Sequence, residues 1–199
     1  MPSININKGF SNDWKLNFKI ESRQQTQEGI FREVNNTNFE YLLTDLSVIA
    51  AKKVGAKNSL AGGYLIRWEG DQIIHRLIQQ FTLVSLPGSF RLAHRISTDQ
   101  TFASEEVAEL RFRYRITTDF PLNGQSVDPQ ELYLKINHEY LNAFQSSDYD
   151  LEVRVVPLLG YAITDNNKIE VGLDYRINSF LNASSRNSFW VSINWYIKI

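Results

Sequence analysis

The strongest constraint in this 199-residue sequence is a two-residue alternation that confines charge to one parity. From Ala108 to Ile116 the even positions are Ala108, Leu110, Phe112, Tyr114 and Ile116, and the odd ones are Glu109, Arg111, Arg113 and Arg115. Successive side chains of a β-strand point to opposite faces, so this run places every charge on one face. Wound as a helix, the same arginines would spread around the cylinder. The pattern recurs from Trp14 to Glu21, Phe90 to Ser97, Glu131 to Glu139, Asp150 to Val155, Ile169 to Asn178 and Ser188 to Ile199. Three further runs, at 39–52, 58–69 and 72–85, alternate less cleanly. They are read as strands because β-branched residues are frequent and turn signals bracket them.

Those turn signals are Val54-Gly55-Ala56, Gly70-Asp71, Pro87-Gly88, Gln145-Ser146-Ser147-Asp148 and Asp165-Asn166-Asn167. Longer loops fall at 24–37, 120–128 and 181–186. The result is about ten strands joined by hairpin-length links, one domain spanning residues 1–199, with 1–12 as an N-terminal extension. Pro157 interrupts a good strand and predicts a bulge or bend, since it donates no ladder hydrogen bond. The fold class expected is all-β: a closed, up-and-down, antiparallel transmembrane β-barrel, in which closure removes exposed edges. An even strand number would place both termini at one end, with the 24–37 loop at the opposite end and 120–128 at the same end.

Composition excludes several classes. A net charge of −1 leaves no electrostatic footprint for nucleic acid. The absence of cysteine excludes disulfides, thiolate chemistry and Cys-ligated zinc. No apolar run approaches a transmembrane helix, but a spanning strand needs only about 9–11 residues with every second one apolar.

Alternation alone does not decide which face meets water. Three features favour lipid outside. The strands are longer than the usual soluble ones. The polar parity is dense in charge, and arginine, whose planar fork pairs bidentately with carboxylates, dominates lysine after Arg76. The candidate interior network is Arg91, Arg95, Glu109, Arg111, Arg113, Arg115, Glu131, Lys135, Glu139, Glu152, Arg154, Glu170, Asp174 and Arg176. Third, aromatics of the apolar parity gather towards strand ends, as in an interfacial girdle: Trp14, Tyr64, Trp68, Tyr140, Tyr149, Tyr161, Tyr175, Phe189 and Trp195. The alternative is a soluble, lipocalin-like ligand binder with its charged face in water.

The run Ala108–Arg115, then Pro121-Leu122, Glu131-Leu132-Tyr133 and Asn137-His138-Glu139 resembles a family of small bacterial outer-membrane β-barrel proteins known only as a domain of unknown function. Gly62-Gly63-Tyr64, His75-Arg76, Gln80, His94-Arg95, Glu152-Val153-Arg154, Leu159-Gly160-Tyr161 and Gly172-Leu173-Asp174-Tyr175-Arg176 fit the same order. The resemblance covers nearly the whole chain. It implies a Gram-negative outer-membrane protein made with a cleaved signal peptide, and no established activity. The sequence opens without a signal peptide, so it is read as a mature chain. It ends in Ile199, where such barrels commonly end in Phe or Trp.

A barrel hydrolase needs a histidine beside a serine and a group to orient the ring. His75, His94 and His138 form no His-x-Ser pair, and three scattered histidines offer no metal-ligand spacing. No catalytic residue, metal or cofactor is assigned. The expected protein is a non-enzymatic barrel with a charged, plugged interior, structural or accessory in the envelope. Its partners are outer-membrane lipid and lipopolysaccharide, with a larger envelope complex as a further candidate at the loops. A narrow conduit for a small polar solute, and a barrel enzyme acting on lipid or lipopolysaccharide, are the alternative functions.

Overall fold

In the computed structural model, residues 1–25, 40–88, 90–104, 106–181 and 185–199 are described. Each alternating run forms a strand, and the strands close into a barrel. In chain order they are β1 (Pro2–Gly9), β2 (Trp14–Gln25), β3 (Glu40–Lys53), β4 (Asn58–Glu69), β5 (Gln72–Ser85), β6 (Arg91–Phe102), β7 (Glu109–Pro121), β8 (Glu131–Gln145), β9 (Asp148–Thr164), β10 (Asn167–Asn178) and β11 (Arg186–Lys198). Each strand pairs antiparallel with the next. The closed, up-and-down barrel is therefore as expected, with eleven strands among the described residues against about ten.

The additional strand comes from the segment assigned to an N-terminal extension. Ile4 and Ile6 alternate with Ser3, Asn5 and Asn7, and the run docks parallel to β11, from Pro2↔Ile193 to Asn7↔Lys198. An odd strand count in a meander forces the first and last strands to run the same way. The termini accordingly do not share an end. Lys198 sits at one rim, called here the lower, whereas the Met1 ammonium reaches the Val191 carbonyl inside the length of β11. β7 ends at this lower rim and β2 at the upper one, so the 120–128 loop and the position of the 24–37 loop fall at opposite ends, as expected. Residues 26–37 of that second loop, and 182–184 of the 181–186 loop, lie outside the described residues.

Two-residue links make the tightest hairpins. Glu69 pairs with Gln72 around Gly70, whose φ of 57° lies in the left-handed region that glycine enters without a Cβ penalty. Pro157 produces no register shift. The β9–β10 pairs run Gly172↔Leu158 and then resume at Tyr175↔Val155 in the same register. The missing proline donor is accommodated by this lapse. Gly172 lies so close to the Pro157 carbonyl that a Cβ there would overlap it, so close backbone approach replaces the expected bulge.

The polar parity faces inward and the apolar parity outward. The largest fully buried side chains are Glu170 and Asp99. Large apolar residues such as Phe18, Leu77, Ile96, Phe112, Leu134, Leu173 and Ile193 stand exposed on the outer wall. A small outward polar patch, Gln79, Thr98 and Gln100 on β5 and β6, satisfies itself through hydrogen bonds of 2.8–3.1 Å.

Candidate functional site

The inward face builds a lattice of ion pairs by two rules of strand geometry. Residues i and i+2 share a face, which joins Arg23 to Glu21 (3.0 Å), Arg111 to Glu109, Arg154 to Glu152 and Arg176 to Asp174 (2.8 Å). Cross-strand neighbours supply the rest: Arg67 to Asp45, Arg91 to Asp119, Arg113 to Asp99 and Arg115 to Glu139. Arg67 grips Asp45 with Nε and Nη2 at 2.8 and 2.9 Å, a two-point fork that lysine cannot copy.

Glu139 is the hub. It is 3% exposed, accepts from Arg115 Nε at 2.7 Å, and lies 3.2 Å from Arg154 Nη1. The register explains why. Arg95↔Arg115, Arg115↔Glu139, Glu139↔Arg154 and Arg154↔Arg176 are successive cross-strand partners, so four arginines and one glutamate share one register level across β6 to β10. Glu152 and Asp174, two residues off that level, supply further counter-charge.

A second node depends on a missing side chain. Gly160 lies between Tyr133 on β8 and Glu170 on β10. Having no Cβ, it lets the Tyr133 ring lie flat across β9, so that the Tyr133 hydroxyl donates to Glu170 at 2.7 Å. Lys135 also pairs with Glu170. The Gly160→Val side chain would occupy the space of the ring. This variant is expected to lower the unfolding midpoint in detergent by the equivalent of about 1–3 kcal/mol. A combined Tyr133→Ala, Gly160→Val protein should lose less than the two single losses added, because they share one contact.

Most of the expected network residues meet here, with two exceptions. Glu131 accepts instead from Asn123 and the Asp128 backbone at the lower rim. Arg95 has neither an ion pair nor a hydrogen bond among the described residues. Sequence reasoning also missed members: Lys19, Glu21, Arg23, Asp45, Arg67, Arg76, Asp99 and Asp119 all point inward. Asp99 and Asp119 continue the odd parity of Arg91–Arg95 and Arg111–Arg115, so the pattern already carried their signal.

The lattice does not fill the barrel. A lumen of about 900 Å³ remains, in contrast to the plugged interior expected from a narrow barrel. Among its lining residues thirteen are Lys or Arg and only five are Asp or Glu. Short carboxylates such as Asp99 lie against the wall, while longer guanidinium arms reach past them.

The girdle aromatics all sit on the outward parity. Trp14, Tyr161 and Trp195 lie near the lower rim; Trp68, Tyr149, Tyr175 and Phe189 lie near the upper one. Tyr64 and Tyr140 are mid-wall. Each accompanies a histidine: Tyr64 with His75 at 2.5 Å between Oη and Nδ1, and Tyr140 edge-on to His138. The third histidine, His94, meets Tyr114 at 2.8 Å. All three histidines therefore face outward, on the wall away from the lumen.

Residues 2–190 match the family of proteins of unknown function DUF2490. The chain belongs to this family. The match runs from β1 into β11 and so takes in nearly the whole barrel. No curated protein and no solved structure matches the chain.

Proposed function

We propose that this DUF2490 member is a non-enzymatic integral protein of the Gram-negative outer membrane, structural or accessory in the envelope. The observation that carries this reading is the inverted wall: apolar side chains stand outside and paired charges inside. A water-soluble barrel of lipocalin type would need the reverse. The strands are 12–17 residues long apart from β1, enough for a tilted crossing. Aromatic rings near both rims suit the two lipid–water interfaces. The outward histidines, each against a tyrosine, support a structural rather than a hydrolytic role.

Expressed behind an outer-membrane signal, the protein should pellet with membranes, resist an alkaline wash and be released by detergent. Recovery in the soluble fraction without detergent would overturn the reading. The lumen favours a second reading, a narrow conduit. Planar-bilayer recording separates it from a closed scaffold: discrete conductance steps support transport, and a silent bilayer containing folded protein supports the scaffold.

A further inference from the structure

We propose that the lumen binds a small multivalent oxyanion of the phosphate type, held by Arg95, Arg113 and Arg115. The site stands on β6 and β7, where Arg95 and Arg115 face each other directly in register and Arg113 opposes the neighbouring Ser97. Like charges directly opposite on a sheet repel. Elsewhere in the lattice, carboxylates relieve such crowding. Arg113 has Asp99 and Arg115 has Glu139, but Arg95 has no counter-charge in contact among the described residues. Its side chain is exposed to the lumen.

Unused donors point to the same place. Arg113 pairs with Asp99 through Nη2 and Arg115 with Glu139 through Nε, and both side chains line the lumen with donors to spare. Lumen-facing guanidinium donors without a protein partner are open to an oxyanion, and such charge-assisted bonds are among the strong ones. Three planar forks on adjoining positions of β6 and β7 suit an anion with several equivalent oxygens better than a halide. The lumen of about 900 Å³ has room for such an ion with its hydration water. The cation excess along its lining concentrates anions there, because low-dielectric walls focus the field. The inference concerns the lumen alone and holds whether or not the barrel conducts.

The test uses the full chain folded in detergent, titrated with sodium pyrophosphate at an ionic strength held constant with sodium chloride. Saturable heat in calorimetry and a rise in unfolding temperature are expected. Arg95→Gln removes no ion pair among the described residues, so the barrel should fold while pyrophosphate binds about tenfold more weakly. Should that variant fail to fold, Arg95→Lys carries the test, with weakened binding again expected from loss of the fork. Arg186→Gln, at the upper rim, should bind as the parent does. A parallel arm offers detergent-dispersed phosphatidylglycerol. The site is overturned by the absence of saturable heat, by an equal shift with sodium chloride alone, by unchanged affinity in the Arg95 variant, by equal loss in Arg186→Gln, or by response to the lipid only.

Discussion

Replacing Glu139 with leucine is expected to destabilise the folded barrel by about 3 kcal/mol, measured as denaturant unfolding from detergent micelles. Glu139 neutralises Arg115 and Arg154 together. Removing it leaves two guanidinium groups inside the wall with one fewer carboxylate. The lower end of the usual 3–5 kcal/mol range for a broken buried pair is appropriate, because Arg115 reaches the lumen and Arg154 keeps Glu152. Arg115→Met should cost less, since Glu139 retains Arg154. The double variant Arg115→Met, Glu139→Leu should recover part of the loss, because replacing both partners of a buried pair by apolar groups leaves no bare charge. If the unfolding midpoint of Glu139→Leu equals that of the parent, the lattice is not what braces the interior.

Leu173→Arg probes the other face and gives the second large effect. Leu173 is 42% exposed at the middle of β10, on the outward parity. If that wall meets hydrocarbon, an arginine there should cost about 2–4 kcal/mol in lipid bilayers. If it meets water, an exposed substitution should stay within about 0.5 kcal/mol. The comparison is made by folding titrations into lipid vesicles of parent and variant. Arg186→Leu at the upper rim serves as a control near zero. A cost under 0.5 kcal/mol for Leu173→Arg would contradict the membrane proposal without touching the barrel fold.

Strand parity was legible because every second residue must face the same way, and one charge per pair is enough to expose the period. That is why β7, β8 and β10 could be read directly. β1 escaped because its inward residues are uncharged: Ser3 and Asn5 are buried, yet short polar side chains between isoleucines give a faint signal. Asp99 and Asp119 were readable in principle, by carrying the parity of their strands two or three residues further. The Tyr133–Gly160–Glu170 node was not. Tyr133 and Gly160 are neighbours only once β8 and β9 take their register, and a single sequence does not state register. The same reason hides the confrontation of Arg95 and Arg115. Each arginine was legible as inward-facing, but their opposition belongs to the pairing of β6 with β7.

The parallel seam between β1 and β11 has a kinetic consequence. It joins residues about as far apart as this chain allows, with the Met1 ammonium bonded to Val191 across 190 positions. Every other ladder is a hairpin that can zip from its own turn. Contacts between distant segments form slowly, because the loop must be closed before any contact rewards it. The meander can therefore assemble as a curved open sheet, exposing the edges of β1 and β11, before those two strands pair. Closure of the barrel is then the step most sensitive to deletions in residues 2–9, and an arrested sheet would present two strand edges to other chains.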